Sequence, residues 1–212
     1  MADFRIEKKY LKEGYKIIAG VDEVGRGALF GPVVAAAVIL PERVIRKRAS
    51  REIEEIDDSK ALRPHKRKRL AWFILSEALS VGVGLASNRE IDQENIYWAS
   101  LRAMNRAIQS LSVNPEIILV DGFPLQGAEC PQVCLPQGDR KSITIAAASI
   151  IAKVVRDKMM IFLDRVYSGY SLAKNKGYGT REHYQALREI GPTPFHRFTF
   201  YLGEKEDGIN AR

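Results

Sequence analysis

Four acids stand where apolar segments end. Asp22 and Glu23 are adjacent in GVDEVGRG (20–27), Asp121 closes EIILVD (116–121), and Asp139 sits in PQGDRKS (136–142), just ahead of a long alanine-rich stretch. Neighbouring carboxylates repel, and burial raises the pKa of at least one unless a cation is at hand. With only three histidines in the chain, such an oxygen-rich set favours hard divalent cations, Mg2+ or Mn2+, over zinc. Two such ions about 3.5–4 Å apart could activate a water on one side of a phosphate and stabilise the leaving oxygen on the other. The structural alternative is that strand-end acids cap loops, with Asp139 or Ser142 serving as the N-cap of the next helix. Spacing alone leaves both readings open, and the adjacent pair between glycines is the stronger signal.

Around the acids lie groups suited to a polyanion. Gly25, Arg26 and Gly27 offer backbone N–H groups that a substrate can approach closely, with a guanidinium that matches phosphate. A tight turn with a solvated arginine is the plainer reading of that tripeptide. Tyr178, between glycines in KGYGT (176–180), could stack on a sugar or base, or simply pack a loop. RPHKRKR (63–69) reads equally well as a phosphate-tracking stripe and as a solvated helix face. His65, His183 and His196 are expected to serve locally, and Cys130 and Cys134 to be core or loop thiols.

The elements that must position these groups alternate. YKIIAGVDE (15–23) and VVAAAVIL (33–40) read as neighbouring central strands, VGVGLAS (81–87) and EIILVDG (116–122) as further strands, and CPQVCLP (130–136) as part of a loop. Helices are predicted from Pro64, over 89–111 and 142–167, and near 180–190. Such alternation implies an α/β layer fold with helices on a mixed sheet, whose strand ends would gather the acids. One geometric objection stands. Consecutive strand residues face opposite ways, so Asp22 and Glu23 can share a site only where the strand twists or ends.

The 212 residues, 46% of them hydrophobic, suit a single domain with a substantial core. A charge of +7 favours a nucleic-acid partner. No apolar run is long enough for a membrane span, no leader is evident, and two cysteines cannot frame a disulfide scaffold, so a reduced, cytoplasmic protein is expected. No dimerisation signal is evident, which leaves a monomer as the expectation.

Taken together, AGVDEVGRGALFGPVVAAAVIL (19–40), DSK (58–60), VDG (120–122), GD (138–139), AAASIIAKVVRD (146–157) and KGYGT resemble, in order, the bacterial type 2 ribonucleases H, the ribonuclease HII family. The resemblance implies an RNase H-like fold, a mixed central β-sheet flanked by helices with a helical C-terminal part. It implies an endoribonuclease that cuts the RNA strand of RNA·DNA hybrids and 5′ to single ribonucleotides in duplex DNA, leaving 3′-hydroxyl and 5′-phosphate ends. By the same resemblance, Asp22, Glu23, Asp121 and Asp139 hold two divalent ions. Gly25, Arg26 and Gly27 sense the RNA–DNA junction, and Tyr178 stacks on the deoxyribose beyond the ribonucleotide. Ser59, Lys60, Ser149 and Lys153 match substrate contacts, and residues 168–212 form a C-terminal substrate-contacting part with a polar tail that reads as disordered. Recruitment by a replication-clamp-type protein partner is left open by the sequence. Two departures stand out: Asn175 replaces a histidine common before KGYGT, and Ala61 a common second lysine after DSK. The rivals are another metal-dependent nuclease of a related fold and a non-catalytic hybrid-binding protein.

Overall fold

The structure, a computed structural model, describes residues 2–47, 51–56, 59 and 62–202. Lys60, Ala61 and the polar tail from residue 203 lie outside the described residues. In chain order the elements are α1 (Arg5–Lys12), β1 (Ile18–Val24), β2 (Val33–Ile39), α2 (Glu42–Lys47), α3 (Arg51–Glu54), α4 (Pro64–Glu77), β3 (Ser80–Ala86), α5 (Asn88–Gln109), β4 (Ile117–Asp121) and β5 (Gln132–Leu135). A 3₁₀ turn (Gly138–Arg140) then leads into α6 (Ile143–Val166), α7 (Leu172–Asn175) and α8 (Arg181–Ile190).

The strands form one mixed sheet in the order β3-β2-β1-β4-β5. β2 runs antiparallel to β1 and β3, whereas β4 is parallel to β1 and β5 to β4. The C-terminal ends of β1, β3, β4 and β5 therefore share one edge of the sheet. β1 and β2 are buried on both faces, which is why they read as continuous apolar runs instead of alternating ones.

Two layers cover the faces. Ile18, Val24, Val34, Ala36, Leu119 and their neighbours meet α6, α1 and α4 on one side. Ala19, Val21, Ala35, Ala37 and Val120 meet α5 on the other. The first ten residues of α6 are all buried, so its composition is apolar around the whole circumference. Its first turn packs so closely on β1 that a Cβ at Gly20 would stand 2.5 Å from the Thr144 carbonyl carbon.

The predicted central strands, the helix opening at Pro64 and the long helices are all present, with ends shifted by a few residues. Three expectations change. CPQVCLP holds the edge strand β5, whose four residues are half-buried and too short to show a period. The N-terminal segment, read only as charged, forms α1 and buries Phe4, Glu7 and Leu11. The helix over 89–111 breaks at Asn95, whose φ of 72° and ψ of 166° lie outside the helical region. No helix among the described residues is long and apolar enough to cross a membrane.

Candidate active site

β1 carries Asp22 and Glu23 in its last turn of pleat rather than beyond its end, because the strand continues to Val24. Alternation therefore holds. Asp22 lies on the α6 face with Val24 and Gly20, and Glu23 on the α5 face with Val21. Asp121, the last residue of β4, shares the α6 face with Leu119, and Asp139 is buried in the 3₁₀ turn that enters α6. The sheet edge thus gathers all four acids, with Glu23 reaching the group around the end of the strand.

Asp22, Asp121 and Glu23 are each held by a local donor. The Glu23 N–H donates to Asp22 Oδ1 at 2.7 Å, and the Gly138 N–H to Asp121 Oδ1 at 2.6 Å. Arg26 Nη1 lies 3.4 Å from Glu23 Oε1. Burial pushes the Asp22 carboxyl well above the usual carboxylate range; the charges of Glu23, Asp121 and Asp139 push it further, against a hydrogen bond from Ser149. Burial also raises Glu23, opposed by Arg26 and assisted by Asp121. This is an electrostatic deficit of positive charge. Among the described residues no three histidine, cysteine or acidic side chains are arranged to hold a metal ion as they stand. Oxygen-only donors with a surplus of negative charge nonetheless fit a hard divalent cation.

The start of α6 is fixed by its own N-cap residue, Ser142, and by Glu7 from α1. Ser142 caps the helix, accepting from the Ile145 N–H at 3.1 Å, so that the capping alternative holds for Ser142. The same hydroxyl donates to Glu7 Oε1 at 2.7 Å, and the Thr144 N–H donates to that oxygen at 3.0 Å. Burial raises the Glu7 carboxyl, with these bonds opposing. A carboxylate at a helix N-terminus is favourably placed against the macrodipole. It anchors the turn that carries Asp139.

Gly25 has φ +95°, and a Cβ there would stand 2.7 Å from Arg156 Cδ. The Arg156 guanidinium lies under the loop and donates to Pro32 O, Lys176 O and Phe30 O at 3.1, 2.8 and 3.0 Å. Arg197 donates to Gly31 O and Arg26 O at 3.0 and 2.7 Å. Burial and the Arg156 charge push Arg197 down to about 9. The loop is also stitched to the segment bearing Tyr178: Ala28 bridges Tyr178, and the Leu29 N–H donates to Gly177 O at 2.8 Å. The Tyr178 ring has Arg156 Cζ at 5.4 Å and Lys153 Nζ at 5.8 Å from its centroid. Gly25, Arg26, Gly27 and Tyr178 are thus one structural unit beside the acids.

Of the remaining residues, Ser59 and Ser149 meet at 2.9 Å between hydroxyls, which links Ser59 to Asp22 through Ser149. Lys153 is engaged with Asp157 at 2.7 Å. The basic run is less available to phosphate than its charge implies. Arg67 is buried against Ser59 O, Leu62 O and Asp157, while Lys66 and Arg69 pair with Glu55. Asn175, in place of the histidine, is buried; it accepts from the Gly177 N–H at 2.8 Å and donates to Tyr170 O at 2.7 Å, so it shapes the tyrosine loop. Cys130 and Cys134 are half-buried free thiols. Sequence reading passed over Arg156 and Arg197. Neither carries a sequence signal: Arg156 stands between Val155 and Asp157, and Arg197 between His196 and Phe198, which is indistinguishable from a solvated position without the packing.

A family model described as Ribonuclease HII matches residues 19–202. The ribonuclease HII of Caldanaerobacter subterraneus is 50% identical over 194 residues, which cover 92% of this chain and 78% of that protein. The ribonuclease H2 of Pyrococcus horikoshii superposes with TM-score 0.71 at 26% identity, covering 88% of this chain and 94% of that one. The RNase HII of Archaeoglobus fulgidus, solved in complex with PCNA, superposes with TM-score 0.72 at 25% identity, covering 89% of this chain and 98% of that one. A match of that length and identity, on the fold that brings the acids and the glycine loop together, means that the chain belongs to the ribonuclease HII family and is an endoribonuclease of the RNase H type.

Proposed function

We propose that this protein hydrolyses the RNA strand of RNA·DNA hybrids and cuts 5′ to single ribonucleotides embedded in duplex DNA, leaving 3′-hydroxyl and 5′-phosphate ends. The observation that carries the reading is the bridge between Ala28 and Tyr178, which couples the glycine loop to the tyrosine next to the acids. A 2′-hydroxyl is the group that separates RNA from DNA at a given site, and close backbone groups at Gly25, Arg26 and Gly27 suit its recognition. Tyr178 then meets the following deoxyribose, so the pair reads a ribose followed by a deoxyribose. Ser59, Lys60, Ser149 and Lys153 are assigned to contacts along the same strand.

Asp22, Glu23, Asp121 and Asp139 would hold two divalent ions, Mg2+ or Mn2+, which activate water and stabilise the leaving oxygen when bound. The surplus negative charge that raises Asp22 supports this assignment. Arg26 pairs with Glu23 across an exposed, weak contact, so it is free to exchange that carboxylate for a substrate phosphate. The protein is read as a monomer. The PCNA complex of the A. fulgidus relative makes a ring-shaped clamp a candidate partner.

A labelled DNA duplex with one ribonucleotide, incubated with Mg2+, Mn2+ or chelator and mapped at its product ends, tests the reading. Metal-dependent cleavage 5′ to the ribonucleotide is the expected result. Equal cutting of an all-DNA control would move the protein to the general nucleases, and binding without cutting to the non-catalytic hybrid binders.

A further inference from the structure

Two histidines that the chemistry above does not use lie fully buried between α8 and the segment after it. His183 Nε2 and His196 Nε2 face each other at 3.1 Å. Thr193 presents its backbone N–H to His196 Nδ1 at 2.8 Å and its hydroxyl to the same nitrogen at 3.1 Å. A backbone N–H can only donate, so His196 Nδ1 accepts and the proton of that ring sits on Nε2. His196 Nε2–H therefore donates to His183 Nε2. That leaves the His183 proton on Nδ1, 3.0 Å from the Tyr178 carbonyl oxygen, which can only accept. One pair of neutral tautomers satisfies every contact. A second proton on either ring would set N–H against N–H.

The far end of this chain is anchored as firmly as the near end. His196 bridges Phe30 in the backbone, and its ring stands edge-on to Phe30 at 4.9 Å and against Tyr170 at 5.0 Å. Asn88 Nδ2 donates to His196 O at 3.2 Å. Phe30 belongs to the stretch that follows the glycine loop, so the relay ties the backbone of Tyr178 to the support of that loop.

We propose that His183 and His196 are positioning residues that hold Tyr178 in register with the Gly25–Arg26–Gly27 loop through a one-way hydrogen-bond relay running Thr193 → His196 → His183 → Tyr178 O. The inference rests on the reading of Tyr178 as the sugar contact. Loss of the relay leaves the Tyr178 carbonyl with the Thr180 N–H at 2.8 Å, so the tyrosine is loosened without being released.

The test is a double-mutant cycle between His183 and Tyr178, read as kcat/KM on the single-ribonucleotide duplex. His183→Phe keeps an aromatic ring, somewhat larger than imidazole, and removes the donor; it should lower kcat/KM by about fivefold to tenfold, the worth of one such bond. His183→Asn, which retains a donor near Nδ1, should recover part of the loss. In a Tyr178→Ala background the same His183→Phe change should cost less than about twofold, because the side chain it positions is gone. An equal cost in both backgrounds would overturn the proposal in favour of general destabilisation. Tautomers are measured independently by 15N NMR of the imidazoles in the wild-type protein at neutral pH. Protons on His183 Nδ1 and His196 Nε2 are expected, and the opposite assignment at either ring would break the relay. If Tyr178→Ala leaves junction cleavage unchanged, the reading of Tyr178 has failed, and the tautomers alone judge the relay.

Discussion

At the scale of single residues, the site is a balance of repelling charges held by backbone donors. Asp22 is the most compromised acid, buried and facing three other carboxylates. Replacing it with asparagine would remove one charge from the proposed metal site and also relieve repulsion of the substrate phosphates. Asp22→Asn should therefore lower kcat by more than about 100-fold, beyond what loss of an outer partner costs, while hybrid affinity is kept or improved. Undiminished cleavage would remove Asp22 from the chemistry. The same deficit gives a readout without turnover. Mg2+ or Mn2+ should raise the thermal midpoint of the wild-type protein, because an ion that binds only the folded state stabilises it, and should raise that of the Asp22→Asn variant less. Gly25 answers to backbone and space together: alanine at φ +95° is strained, and its Cβ displaces Arg156. Gly25→Ala should cost about 1–3 kcal/mol in urea denaturation and lower the rate on the junction substrate.

At the scale of elements, α6 is the part that decides whether the acids meet. It carries Ser149 and Lys153 along its length, and the turn before it carries Asp139. Its first turn rests on Gly20, two residues before Asp22, and is tied to α1 through Glu7. Gly20→Ala places a Cβ against the backbone of Thr144, which has no rotamer to give way. It should destabilise the protein by about 1–3 kcal/mol and, by tilting α6 away from β1, reduce activity on every substrate alike. A variant with a wild-type denaturation midpoint would show that the helix start yields freely. The three buried anchors Glu7, Arg156 and Arg197 meet helix-start donors or loop carbonyls, which is how they hold loops that have few apolar contacts of their own.

At the scale of the whole molecule, stability should follow the buried histidines on the acid side. Burial and the neighbouring His183 lower His196 to about 4, and burial lowers His183 as well. Each pKa in the folded state lies below the unfolded value of about 6.5, so the unfolded chain takes up protons first as pH falls. Their contribution is complete above about pH 6.5 and is lost as pH falls, that of His196, worth of order 3 kcal/mol, towards about pH 4. The raised carboxyls of Glu7 and Asp22 act in the opposite sense, being easier to bury once protonated. Because the carboxyls oppose the imidazoles, the difference is the readout: between about pH 7 and about pH 5 the urea midpoint should fall further in the wild type than in a His183→Phe/His196→Phe variant, and equal falls would show that the imidazoles are not held neutral. The charge of +7 adds affinity for nucleic acid without sequence preference, and binding should weaken as salt rises.

The layer fold, the central strands, the long helices, the acids near the ends of β1 and β4 and the placing of Asp139 just ahead of α6 were legible in the amino-acid sequence. Those features are written in local periodicity and residue type, which act over a few positions. Ordered motifs from Ala19 to Thr180 were enough to place the chain beside its family. Only the tertiary structure decided which groups face one another. It put Asp22 and Glu23 on opposite faces of β1, and it tied up part of the basic run in ion pairs, Arg67 with Asp157 inside the protein and Lys66 and Arg69 with Glu55 at the surface. It set Arg156 and Arg197 beneath the glycine loop and aligned two ordinary histidines into a relay. Those pairings join residues as much as 171 positions apart, and their energy depends on burial and direction. No local pattern encodes either quantity.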